Sequence, residues 1–142
     1  MEWKAKESDI FVRLDPGELL VESLRKIAAE AVFSAAAITS GVGMLSRVEL
    51  GFFDVALDDY RRTVLDGIFD LSSVQGNIMR RELEYVPHVH LVFNDPTFTT
   101  YSGHLIEATC HITIEMFLST SVSALRRVSI PGCPATRVIG VG

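Results

Sequence analysis

His88, His90 and His104 are the residues of this chain with the most chemistry to offer. The first two stand in the stretch Pro87-His88-Val89-His90-Leu91-Val92-Phe93-Asn94-Asp95. That stretch reads as a strand, and in a strand residues i and i+2 project from the same face. The pair is therefore expected side by side. Asp95-Pro96 is a turn signal, and Phe98 to Leu105 reads as the returning strand of a hairpin that carries His104 back toward the pair. Three imidazoles in one place make a site for a borderline-soft divalent metal, zinc first. Neutral imidazoles bind zinc at about 2.0–2.1 Å, and three of them leave a fourth position open. Each ring also needs a partner for its other nitrogen, and Asn94, Asp95 and Ser102 are the nearest polar residues in sequence.

An open position on a three-histidine site serves either of two ends. It can activate water for attack on a small substrate, or it can hold a small molecule or anion without reaction. The enzymatic alternative wants a general base nearby, usually a carboxylate. Glu107 is close in sequence, but it lies an odd number of residues from His104 and so faces the other way along an unbroken strand. A solvated or interface acid is the expectation for it. His111 shares the polar face of its strand with Glu107 and Thr109 and reads as a surface or subunit-contact residue. Cys110 falls among apolar residues and reads as a small buried hydrophobe. Trp3 and Tyr101 read as packing aromatics.

Several elements must position these groups. Ile10 to Leu14 reads as a first strand. Asp15-Pro16-Gly17-Glu18 predicts a helix start, with Asp15 as cap and Glu18 as the capping-box acid. Leu20, Leu24, Ile27 and Ala31 recur at helical spacing, which predicts a helix over 17–31. Phe33 to Thr39 reads as a strand, Ser40-Gly41-Val42-Gly43 as a turn, and Leu45 to Asp54 as the next strand. A turn at Leu57-Asp58-Asp59 leads to a strand over Tyr60–Leu65. Asp66-Gly67 suggests a bulge, Ile68 to Ile78 a bent strand or strand pair, and Arg80 to Val86 a connection. Ile106 to Leu118 alternates strictly, with Ile106, Ala108, Cys110, Ile112, Ile114, Met116 and Leu118 on one face. From Ser129 onward the tail reads as irregular. Many strands and one firm helix give an α+β class: a single domain over 1–142, with a largely antiparallel mixed sheet and one main helix after the first strand.

Composition narrows the partners. The chain carries 13 Lys and Arg against 18 Asp and Glu, a formal net charge of -5. Grip on a phosphate backbone depends on lysine and arginine, so this balance disfavours nucleic acid; the basic pairs Arg61-Arg62, Arg80-Arg81 and Arg126-Arg127 are scattered. No stretch reaches the roughly 18 apolar residues of a membrane span. The first residues lack the apolar run of a signal peptide, and Cys110 and Cys133 have no metal spacing, so a cytoplasmic setting with reduced thiols is expected.

Four segments also occur together and in order: Ile38-Thr39-Ser40-Gly41-Val42-Gly43-Met44-Leu45, Leu65-Asp66-Gly67-Ile68-Phe69-Asp70-Leu71-Ser72-Ser73-Val74-Gln75-Gly76-Asn77, Pro87-His88-Val89-His90 and Ser102-Gly103-His104-Leu105. In this the chain resembles the plants-and-prokaryotes-conserved (PPC) domain, in its stand-alone prokaryotic form. The resemblance implies a compact, antiparallel-rich domain, assembly into homotrimers, and a metal held at the positions of His88, His90 and His104. The family's plant members follow an AT-hook segment that grips the minor groove; no Arg-Gly-Arg-Pro-type stretch occurs here. The expected function is thus a zinc-binding homotrimeric module for a small ligand or for regulation. A zinc enzyme and a DNA-binding accessory protein are the alternatives.

Overall fold

In a computed structural model, residues 1–120, 125–129, 131 and 136–140 are described. The chain runs β1 (Glu2–Lys6), β2 (Asp9–Leu14), α1 (Leu20–Ala31), β3 (Ala35–Asp54), β4 (Asp59–Arg81), β5 (Glu84–Asn94), β6 (Thr100–Thr120), β7 (Leu125–Val128) and β8 (Arg137–Gly140). The fold is mostly strand with one helix, in one mixed sheet. Short turns make the sequential pairs β1–β2, β3–β4, β4–β5 and β5–β6 antiparallel; β7 beside β4, at Arg80 and Arg126, is a parallel pairing.

The sheet follows the path β1-β2-β6-β3-β4-β7-β8, with β5 joining β4 to β6. Consequently β3, β4, β5 and β6 pair in a ring, each with the next and β6 again with β3. The ring closes around Leu45, Val48, Leu71, Val74, Leu91, Phe93 and Ile114, all at most 1% exposed. Helix α1 lays its apolar stripe over the same core. Leu20, Leu24 and Ile27 are fully buried there, each worth about 1.5–3 kcal/mol of transfer free energy.

Several sequence expectations are corrected. Ser40 to Gly43 is no turn: β3 passes straight through it. The glycines answer to close packing instead. Gly43 has φ +155°, and a Cβ there would lie 2.2 Å from the Thr113 carbonyl oxygen of the neighbouring strand. Arg80 to Val86 is a hairpin rather than a loose connection, with Glu82 at φ 55° making the bend. Bulges interrupt the pairing of β3 with β6; the face predicted from Ile106 is buried at Ala108, Cys110, Ile114, Met116 and Leu118 but breaks at Ile112. Leu105 points inward, while Ile112 is 57% exposed. Arg137–Gly140 is a strand paired to β7 within the tail expected to be irregular; 130, 132–135 and 141–142, with Cys133, lie outside the described residues.

The helix begins at Leu20, three residues later than its sequence signals imply, and Leu19 at the cap position makes no side-chain cap bond. Glu18 does accept the Asp15 N–H at 2.8 Å, half of the expected capping box. The free N–H groups of the first turn go elsewhere. Val21 N–H donates to Glu107 Oε1 at 2.7 Å and Glu22 N–H to Glu107 Oε2 at 3.2 Å. A carboxylate from β6 thus serves the positive end of the helix. No helix among the described residues is long and apolar enough to cross a membrane.

Candidate metal centre

Strand β5 alternates cleanly. Val89, Leu91 and Phe93 are driven into the core, each at most 1% exposed, and His88 and His90 are left on the opposite face. The turn that follows fixes where His104 returns. Asp95 accepts the Thr97 N–H at 2.8 Å, the Thr97 hydroxyl at 2.7 Å, the Thr99 N–H at 3.1 Å and the Tyr101 hydroxyl at 3.3 Å. These bonds hold its carboxyl below the usual range, the Thr97 hydroxyl foremost. The register they set places Asn94 opposite Thr100 and His90 opposite His104. A slip of one residue would send His104 to the other face. Behind the pair, Gly76 on β4 lies where a Cβ would be 2.1 Å from the His88 carbonyl oxygen, so only glycine lets the two strands come this close.

The three rings converge. Their centroids are 5.3 Å apart for His88 and His90, 5.2 Å for His88 and His104, and 5.4 Å for His90 and His104. One ring nitrogen from each lies within 4.8 Å of the other two. Burial, then the nearby positive groups, lowers the basicity of two of them: His104 falls to about 4, and His88 shifts the same way. Both are therefore neutral near pH 7, the form that ligates a metal. A donor set of three imidazoles fits zinc.

The surroundings are not those expected. Asn94 accepts the Ser72 hydroxyl, Asp95 is committed to its turn, and Ser102 lines the larger cleft without a hydrogen bond to the rings. Tyr60 instead stacks on His104 at 4.9 Å and 19°. Arg127 Nη2 lies 3.1 Å from His88 Nδ1 and donates to Asn77 Oδ1 at 2.8 Å. A guanidinium can only donate, so His88 Nδ1 accepts and the ring carries its proton on Nε2. The basic pair Arg126-Arg127 was the only sequence signal for this residue. Glu107 caps α1 on the far side of β6 and is no base for the site. His111 stands outside the cluster. Cys110 is buried, with its thiol pushed up to about 11 by burial first.

Two clefts flank the Tyr60–His104 stack and share Phe53, Tyr60, His88 and His104. The larger, about 710 Å³, also takes in His90, Arg61 and Tyr101. The smaller, about 440 Å³, adds Arg81, Arg127 and Thr136. Neither has an acidic residue in its wall among the described residues. The site can accept a cation through three nitrogens and an anion through its arginines.

Comparison with known proteins places the family and the fold. The family model for the Plants and Prokaryotes Conserved (PCC) domain matches residues 2–122. A search of curated proteins finds no match. Among solved structures, a candidate DNA-binding protein of Bacteroides thetaiotaomicron superposes with a TM-score of 0.91 at 18% identity, over 97% of this chain and 96% of that one. A plant- and prokaryote-conserved (PPC) protein of Pyrococcus horikoshii gives 0.80 at 20%, over 92% and 90%. A metal-containing protein of Archaeoglobus fulgidus gives 0.81 at 23%, over 97% and 96%. At these identities the likeness is one of fold.

Proposed function

From the premise that this chain belongs to the Plants and Prokaryotes Conserved (PCC) domain family, we propose that it is a zinc-binding homotrimeric module that takes a small ligand at the metal. The observation that carries the proposal is the approach of three imidazole nitrogens to within 4.8 Å of one another. The fold neighbour from Archaeoglobus fulgidus, named a metal-containing protein, supports it. His88, His90 and His104 would be the protein ligands, and the fourth position would belong to the small molecule or anion. Bound zinc would supply Lewis acidity at that position; the chain supplies an aromatic wall of Phe53 and Tyr60 and the cationic groups of Arg61, Arg81 and Arg127.

A module for binding or regulation accounts for the site better than an enzyme does, because among the described residues no carboxylate lines either cleft to act as base. DNA binding, the property in the names of two fold neighbours, is opposed by the net charge of -5. It would require duplex affinity that is strongest at low salt and falls steeply as salt rises. A cytoplasmic setting suits the module.

The metal reading is tested by elemental analysis of protein purified without chelator, followed by zinc titration of the stripped protein. One metal per chain is expected, with His90→Ala weakening zinc by more than about 100-fold, beyond the cost of losing an outer-shell partner. Metal-free preparations, or equal zinc affinity in the variant, would sink it.

A further inference from the structure

Arg127 presents an unusual electrostatic situation. Its side chain belongs to a residue only 8% exposed. Among the described residues its partners are the neutral groups Asn77 Oδ1, His88 Nδ1 and, at 3.5 Å, Thr136 Oγ1. Its Nε is buried without a partner among the described residues. No carboxylate lies within ion-pair distance of it among those residues either, and 121–124, 130, 132–135 and 141–142 contain no Asp or Glu. A desolvated cation without a counter-charge is strongly unfavourable. The other two arginines of the clefts differ, since Arg61 pairs with Asp54 and Arg81 with Glu84 at 3.9 Å.

Metal at the histidines sharpens the problem. If His88 offers Nε2 as a neutral ligand, its proton must sit on Nδ1, and the contact with the donor Arg127 breaks. If it offers Nδ1, the metal takes the place Arg127 now uses. Either way the guanidinium loses a partner and gains a divalent neighbour. An added negative charge relieves both.

We infer that Arg127 is an anion-binding residue, and that the ligand of this site is a small organic acid whose carboxylate rests on Arg127 beside the metal. A planar carboxylate matches the guanidinium fork. The apolar walls of the smaller cleft, Phe53, Tyr60, Val86 and Pro87, take the hydrocarbon or aromatic body. The identity of the whole ligand rests on the metal-centre reading, while the carboxylate contact stands on Arg127 itself. Because both charges act on one ligand, zinc and carboxylate should each tighten the binding of the other by the same factor.

Benzoate serves as the probe. It is titrated into zinc-loaded and zinc-stripped protein, with heat and the Arg127 Nε–H nuclear resonance as readouts. The resonance should move on the zinc-loaded protein, with benzoate weaker by at least about tenfold in Arg127→Lys and tighter with zinc than without. Arg127→Gln should keep or improve zinc affinity while losing benzoate, which separates this assignment from the metal reading. Benzoate that shifts the resonance in protein unable to hold zinc overturns the metal reading alone. An unmoved resonance in wild type, equal benzoate affinity in Arg127→Lys, or binding of inorganic phosphate but not benzoate overturns the assignment. The wild-type resonance decides even if a variant fails to fold.

Discussion

His88 answers to opposite demands on its two nitrogens: as the chain stands, Arg127 fixes the proton on Nε2, whereas a metal wants one nitrogen bare. The neutral state that suits ligation is already favoured by burial at His104, which sits near 4 rather than 6.5, and at His88. The sign of the resulting pH dependence is clear. In chelator-treated protein the unfolded chain takes up protons near 6.5 while the folded chain resists them. Stability from these rings is therefore complete above about 6.5 and is lost as pH falls toward 4. Urea denaturation of stripped protein at pH 7, 6 and 5 should show that decline, and His104→Gln should flatten it. A stripped protein more stable at pH 5 than at pH 7 would contradict the burial described.

At the scale of elements, the carboxylate of Glu107 joins β6 to the start of α1. Removing it leaves two amide hydrogens of the first turn without a partner, so Glu107→Ala should cost about 1–2 kcal/mol of stability in chemical denaturation. Zinc affinity should stay unchanged, because the residue faces away from the histidines. A large loss of zinc binding with intact stability would restore Glu107 to the site.

Which parts of this were legible beforehand follows from range. The histidine strand could be read because alternation and the Asp95-Pro96 turn are local signals that agree with each other. The helix stripe could be read for the same reason. Gly41 and Gly43 misled, because a glycine required by a neighbouring backbone looks in sequence like one required by a turn. The bulged β6 misled at Ile112, because an irregularity turns one residue outward without altering the composition. Arg127 was invisible as a site residue: it arrives through a parallel pairing at Arg80 and Arg126 that no local pattern encodes.

At the scale of the molecule, Phe52, Phe98, Ile112 and Phe117 stand exposed on the strands and their turns. Large apolar groups left in water are what subunit contacts cover. The homotrimer proposed above should give light-scattering masses near three times the 15.7 kDa chain. A monomer across the micromolar range would remove the trimer while leaving the histidine cluster untouched.

The manner in which β6 is shared has a consequence for how the protein is made. This strand pairs with β2, β3 and β5, and its Glu107 bonds the Val21 amide 86 residues earlier in the chain. A nascent polypeptide leaving the ribosome must therefore carry its first helix and first strands unsheltered until the keystone strand emerges. With most contacts joining residues distant in sequence, folding should be slow, and the half-synthesised chain is the form most in need of a chaperone.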